Sequence, residues 1–489
     1  MSVPYGHHDR LFIDGSWVKP ATGSAFDVVS PITEQPFVSI AEANETDMNR
    51  AVAAARKAFD EGPWPLMPHQ ERAHYLRAIA KGLMARAEDI SVVWPNEMGI
   101  LQSTARFFIA GAAATFDYYA ELADRFAFEE RHQPTGGGEV GLLVKEPVGV
   151  VGAIIPWNAP LNLATNKIAP ALLAGCTLIA KASPEAPGAL YILAEIMESV
   201  GLPPGVVNVL TADRQASEAL VRHPDVDKIA FTGSTAAGRR IASLCGERIA
   251  RVTLELGGKS AAVIMDDYEP ELVAEALAGP TCLMSGQVCS GLSRVIVNRR
   301  RHDALVDALS ARFSQIRIGD PFDENSDLGP IAMRRQLERI ETLIDAGKQE
   351  GARLAFGGGR PASPNRGFFI EPTIFGNVDN DSTIAREEIF GPVLSVIPVD
   401  SEDDAIRVAN DTIYGLNNSV FTHDPERAYR VARRLRSGTV GHNNFRTDFG
   451  IAFGGFKQSG IGREGAEAGL QAYLEAKAVI LEGKPDHIA

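Results

Sequence analysis

Three observations predict an α/β protein built on a doubly wound parallel sheet, followed by a second α/β lobe. Apolar runs at 148–155, 177–180, 206–210 and 228–231 alternate with helical patterns at roughly ten- to fifteen-residue spacing, as strand–helix–strand units require. The alternation restarts after Gly257-Gly258, which predicts a lobe boundary there. The chain's 489 residues also exceed what one core supports.

Taken in order, Leu11-Phe12-Ile13-Asp14-Gly15-Ser16-Trp17 reads as a hairpin turning at Asp-Gly. Helical periodicity predicts helices over 45–59, 68–98 and 104–126, after which Thr135-Gly136-Gly137-Gly138 breaks the pattern. Strands follow at 140–144 and 148–155, then a helix from Asn158 through Ala174, a strand at 176–180, a helix at 189–200 and a strand at 206–210. The strand at 228–231, the helix at 234–245 and the strand at 251–256 complete the first lobe. The second lobe holds strands at 261–264, 293–298, 394–399 and 419–422, and helices at 270–278, 302–313, 403–409 and 426–435. The run 478–482 reads as a strand with no local partner, so it is expected to add to another sheet, within the chain or across a subunit interface.

A composition of 45% hydrophobic and 22% charged residues is that of an ordinary globular protein. The net charge of −14 argues against nucleic acid or an anionic membrane as partner, since polyphosphate binding needs a basic face. The longest apolar run, 168–180, is cut by Pro170 and Gly175 and is too short to span a bilayer. No charged-then-apolar export signal opens the chain. Its four cysteines, Cys176, Cys245, Cys282 and Cys289, include no CxxC pair, which argues against a disulfide scaffold or a metal site and predicts a reducing cytoplasm.

Gly136-Gly137-Gly138-Glu139-Val140-Gly141 matches the spacing of a dinucleotide fingerprint, but a strand rather than a helix follows, so it reads as a loop. Phe231-Thr232-Gly233-Ser234 is better placed: a strand ends, a glycine turns, and Ser234 caps a helix whose free amides suit a phosphate. Lys181 follows a strand at the end where open parallel sheets bind ligands, although a surface lysine is the plainer account. In Pro156-Trp157-Asn158-Ala159-Pro160, two prolines stiffen a side-chain amide that suits an oxyanion or simply serves the turn. Glu255 ends an apolar strand, where desolvation pushes a carboxyl toward general-base duty unless an ion pair claims it. Cys289 closes Ser285-Gly286-Gln287-Val288-Cys289, a small, polar setting that permits a partly exposed thiolate, whereas Cys282 reads as core.

In this order the pieces resemble the aldehyde dehydrogenase superfamily from the hairpin to the last strand. The resemblance is carried by Pro156 to Pro160, Leu254-Glu255-Leu256-Gly257-Gly258-Lys259, Gly286 to Cys289, Glu387-Glu388-Ile389-Phe390-Gly391-Pro392 and the 453–460 block. It implies a Rossmann-like cofactor domain at 1–129 and 148–257, a catalytic domain at 258–457, and a small β bridging and oligomerisation element at 130–147 and 458–489. It implies Cys289 as nucleophile, Glu255 as base and Asn158 as oxyanion donor. Cofactor contacts would come from Ile154, Ile155, Pro156, Trp157, Lys181, Ser183, Gly233, Ser234, Leu256, Gly257, Glu388 and Phe390. The implied activity is oxidation of an aldehyde to the acid through a cysteine thioester, hydrolysed by water, in a homodimer or homotetramer. A catalytically silent relative and a coenzyme A-acylating enzyme are the alternatives.

Where the family carries Lys-Pro-x-Glu, this chain has Lys181-Ala182-Ser183-Pro184-Glu185. The carboxylate that would repel a 2′-phosphate is absent, which leaves NADP open, although NAD is the expected cofactor. Positions resembling the substrate tunnel carry Ala159, Leu163, Asn166 and Leu283 where relatives often place aromatics, which implies room for bulky aldehydes.

Overall fold

The structure, a computed structural model, describes residues 3–485; residues 1–2 and 486–489 of the outermost segments above lie outside the described residues. Its first sheet has eight strands, in the order Gly460–Ile461, Arg251–Glu255, Lys228–Thr232, Val150–Ile154, Thr177–Ala182, Val207–Thr211, Leu11–Ile13, Ser16–Val18. The five central strands are parallel. Helices cover both faces of such a sheet, so its strands read as unbroken apolar runs rather than alternating ones.

From Val150–Ile154 the chain builds outward through Thr177–Ala182 to Val207–Thr211, then crosses back to add Lys228–Thr232 and Arg251–Glu255 on the other side. That reversal opens a crevice at the carboxyl ends of Val150–Ile154 and Lys228–Thr232. The segments leaving those ends carry Asn158 and Gly233.

A second sheet runs Arg353–Phe356, Thr373–Gly376, Val393–Val399, Leu292–Asn298, Ser260–Ile264, Asn417–Phe421, Thr439–His442, antiparallel only between its first two strands. Residues 256–259 lead from the carboxyl end of Arg251–Glu255 in one sheet to the amino end of Ser260–Ile264 in the other. The mixed α/β class and the parallel sheets expected from the sequence are both present.

Two features depart from the sequence reading, and one expectation, the addition of the last strand to another sheet, is met within the chain. The helix expected over 68–98 is two, His69–Ala85 and Ala87–Met98. Arg86 sits at the break with ψ 13°, and its guanidinium is drawn to the Pro4 carbonyl at 2.8 Å, to Glu195 at 3.0 Å and to Asp89. The strand Leu474–Leu481 does find a partner within the chain: it pairs antiparallel with Val140–Pro147, which also pairs with Glu129–His132. The two-stranded sheet Ala25–Val29 with Pro36–Ala41 and the helices Arg214–Arg222 and Arg334–Gln349 were not anticipated. No helix among the described residues is long and apolar enough to cross a membrane.

Candidate active site

Asn158 leaves the crevice end of Val150–Ile154 just before the helix Pro160–Ala174, whose first turn Pro160 pre-sets. It is 7% exposed, and its Nδ2 donates to the Gln287 carbonyl at 3.0 Å. An amide nitrogen carries two protons, so one donor remains for a ligand. This bond also ties the first sheet's crevice to the loop carrying Cys289.

That loop is held under strain. After the helix Pro270–Cys282 the turn 283–286 puts two non-glycine residues in the left-handed region, Met284 at φ 46° and Ser285 at φ 56°. Such backbone costs of order 1–3 kcal/mol per residue and persists only where surroundings impose it. Here Ser285 Oγ donates to the Gly329 carbonyl at 2.8 Å, Gln287 Nε2 to the Met284 carbonyl at 2.9 Å, and the Ala332 amide to Gln287 Oε1 at 3.0 Å. Gly286 at φ 74° lies so close to the Gly391 backbone that a Cβ would collide with it.

Cys289 emerges from this loop ahead of Leu292–Asn298 and is the one cysteine of the four that is not buried. Burial of its sulfur, then the nearby carboxylates of Glu388 and Glu255, push the thiol up to about 12. The expected partial exposure is present, and the influences that raise the thiol are desolvation and two carboxylates.

Glu255 ends the strand Arg251–Glu255 at 2% exposure, and neither of its oxygens has a hydrogen-bond partner among the described residues. Burial raises it well above the usual carboxylate range and repulsion from Glu464 adds to this, while Lys167 and Arg463 pull the other way. Lys167 Nζ donates to Glu464 Oε1 at 2.7 Å and to Thr232 Oγ1 at 2.6 Å. At Gly454 a Cβ would stand 2.6 Å from Glu255 Oε1, so the glycine keeps the carboxylate's approach open.

Lys181 lies inside the strand Thr177–Ala182, opposite Ile154, and its carbonyl accepts from the Ile155 amide at 3.0 Å. At 7% exposure it is not a surface lysine, and burial brings it down to about 8. Its ammonium has no hydrogen bond or ion pair among the described residues. Ser183 donates to Glu185. Ser234 caps the helix Thr235–Glu247 by accepting from the Ala237 amide at 3.3 Å, and Gly233 donates to the Glu255 carbonyl at 3.0 Å.

Leu256 donates to the Ser459 carbonyl at 2.9 Å, and a Cβ on Gly257 would collide with the Glu388 carboxylate. Glu388 accepts from the Gly258 amide at 3.1 Å and is raised to about 7 by burial. Phe390 meets Trp157, the residue after Pro156, edge-on at 5.4 Å. A free ammonium, a helix N-terminus, a buried carboxylate and an aromatic pair along one crevice fit a dinucleotide: ribose hydroxyls, pyrophosphate and a flat ring each have a matching group.

Asn158, Glu255, Glu388 and the Cys289 loop thus converge where the carboxyl ends of one sheet face the amino ends of the other. Lys181 and Ser183 stand further along the crevice, Lys181 three strands over from Glu255. Sequence reasoning missed Lys167 and Glu464, and gave no role to Lys259. The last is 1% exposed, its Nζ lacks a partner among the described residues, and burial lowers it to about 7. A lysine inside the apolar run of Pro160–Ala174 was the available signal, because a buried charge requires a counter-charge.

Residues 17–479 match the model of the aldehyde dehydrogenase family. The chain is 42% identical over 478 residues to geranial dehydrogenase of Castellaniella defragrans, covering 97% of this chain and 99% of that one. It is likewise 42% identical over 477 residues to the peroxisomal aminoaldehyde dehydrogenase 2 of Malus domestica, covering 96% and 95%. Among solved structures, a Mycobacterium tuberculosis aldehyde dehydrogenase complexed with NAD+ superposes with a TM-score of 0.94 at 42% identity, covering 97% and 98% of the two chains. Betaine aldehyde dehydrogenase of Staphylococcus aureus in complex with NAD+ gives a TM-score of 0.95 at 36% identity, covering 98% and 95%.

Proposed function

The chain belongs to the aldehyde dehydrogenase family, and on that premise we propose that it oxidises an aldehyde to the carboxylic acid with NAD+, using Cys289 as nucleophile, Asn158 as oxyanion donor and Glu255 as base. The convergence of these three residues at the seam between the two sheets carries the reading. Lys181, Ser183, Gly233 and Ser234 would hold the adenosine and pyrophosphate end. Ile154, Ile155, Pro156, Trp157, Leu256, Gly257, Glu388 and Phe390 would hold the nicotinamide end. A nicotinamide held by those residues would supply a hydride acceptor beside Cys289.

Cys289 gives its thiol proton to solvent, its Sγ bonds to the aldehyde carbon and the carbonyl π pair moves to oxygen. The free Asn158 N–H and the Cys289 backbone N–H donate to that oxygen, whose charge develops only as the sulfur attacks. Loss of hydride leaves a thioester on Cys289. Glu255 takes a proton from water, the water oxygen bonds to the acyl carbon, and Cys289 departs as thiolate with release of the acid. A desolvated carboxyl whose pKa lies above the ordinary range is a stronger base toward water once ionised. The presence of Glu255 favours water over coenzyme A as acyl acceptor.

The outer edge of Leu474–Leu481, which pairs with no strand among the described residues, supports assembly as a homodimer or homotetramer. The four unpaired cysteines support a reducing cytoplasm. The test is NADH formation against a panel of aldehydes with Cys289→Ala as control. Full activity in that variant would overturn the assignment of the nucleophile.

A further inference from the structure

We propose that Asp213, with Glu42 beside it, selects an adenosine ribose carrying a free 2′-hydroxyl, and so sets a preference for NAD+ over NADP+. The inference rests on the reading above, in which a nicotinamide dinucleotide lies along the crevice with Lys181 at its adenosine ribose. In sequence, the discriminating carboxylate is missing: Pro184 stands three residues after Lys181. The fold supplies one from a different strand.

Lys181 and Ala182 pair with Leu210 and Thr211 of the neighbouring parallel strand, and Asp213 leaves the sheet just beyond. Asp213 therefore sits at the same end of the sheet as Lys181, one strand over. Glu42 is brought alongside by the bridge of Ala43 to Ala212 and by the Ala43 amide donating to the Thr211 carbonyl at 2.8 Å. The charge of Asp213 reaches both neighbours, favouring the ammonium of Lys181 against the dominant effect of burial and adding to the burial that raises Glu42.

Glu185 also reaches Lys181 with its charge, but its oxygens are taken by Ser183 Oγ and by the guanidinium of Arg335, which neutralises it at short range. Asp213 has no ion pair among the described residues. One of its oxygens accepts from the Ala216 amide at 2.8 Å and caps the helix Arg214–Arg222. A helix N-terminus that would otherwise welcome an anion is therefore already occupied by a carboxylate.

Ribose hydroxyls fit this setting, because one can accept from Lys181 while another donates to the free Asp213 oxygen. A 2′-phosphate carries about −1.5 to −2 charge and donates nothing when ionised, so it would meet Asp213 and Glu42 in repulsion. Arg214, exposed and without an ion pair among the described residues, is the cation left to receive a phosphate once Asp213 is neutralised.

The test measures dissociation constants of NAD+ and NADP+ by titration calorimetry, together with kcat/KM for each, on the full chain and on Asp213→Asn. Asparagine keeps the helix cap and removes only the charge. The wild type is expected to bind NAD+ at least about tenfold more tightly than NADP+. Asp213→Asn should shift the affinity ratio toward NADP+ by about tenfold at low salt, and by less as ionic strength rises. Glu42→Gln should move the ratio the same way and serves where Asp213→Asn does not fold. Glu185→Gln should shift it less than either. A wild type that prefers NADP+, or an unchanged ratio in folded Asp213→Asn, would overturn the proposal alone. Binding of neither dinucleotide would overturn the functional reading and this proposal with it.

Discussion

Lys167 and Glu464, 297 residues apart in the chain, form a buried ion pair at 2.7 Å beside the partnerless carboxylate of Glu255. Lys167 therefore faces two buried carboxylates, and Arg463 also acts on Glu255. Lys167→Met removes it and leaves Glu464 uncompensated, which should cost about 3–5 kcal/mol of stability. The same change removes an influence that lowers Glu255, so the surviving activity should need a higher pH. Denaturant titration and a pH–rate profile check both. An acid limb that stays in place would show that Lys167 does not act on Glu255.

Glu255→Gln separates hydride transfer from hydrolysis. The first turnover should proceed as a burst of reduced cofactor, after which the thioester accumulates and steady-state kcat falls by about 10²–10⁴. Rapid-mixing absorbance and intact mass reveal the burst and the acyl adduct. Stability moves too. A carboxyl raised by burial binds its proton more tightly in the folded state, so the stability it contributes is present at low pH and lost as pH climbs from about 4 toward its raised value. Glutamine does not titrate, so the variant's Tm should gain on the wild type as pH rises above about 4.

These residues also show where the sequence was legible. Glu255, Cys289 and Asn158 stood out because each is a chemically active side chain at the end of an apolar strand or in a glycine-bearing turn, features that local reading detects. Lys167 and Glu464 did not, since their meaning lies in a contact between distant segments. The strand Leu474–Leu481 had no visible partner for the same reason: Val140–Pro147 lies more than three hundred residues upstream. Ala25–Val29 alternates weakly and is mostly exposed, so no apolar period marked it as a strand. At Arg86 propensity favoured one helix, and tertiary hydrogen bonds decided for two.

The Cys289 thiol, raised to about 12, should alkylate slowly in the protein without ligands. Below that value the thiolate fraction grows about tenfold per pH unit, so the rate with iodoacetamide should climb steeply between about pH 7 and pH 9. Peptide mapping assigns the label, with buried Cys176, Cys245 and Cys282 as internal controls. A rate that levels off near neutral pH would mean that a cation, absent from the static arrangement, stabilises the thiolate.

Substrate size should follow from the wall opposite Cys289. Ala159 precedes the helix Pro160–Ala174 and Leu163 lies in its first turn, and both share an apolar cluster with Leu283 and Val288 from the Cys289 loop. Gly279 and Leu283 also border a cavity of about 230 Å³ reaching Leu101 and Thr104. None of these side chains is aromatic, so if they line the path to the sulfur, as the resemblance implies, a long or branched aldehyde buries more apolar surface there than acetaldehyde does. Each methylene so buried is worth about 0.8 kcal/mol, which predicts kcat/KM rising with chain length and branching across an aldehyde panel. Ala159→Phe fills the same space. It should lower kcat/KM for bulky aldehydes by about 10–200-fold relative to a two-carbon substrate. A wild-type profile that favours the two-carbon aldehyde, or a variant that loses both substrates equally, would remove this wall as the determinant of size.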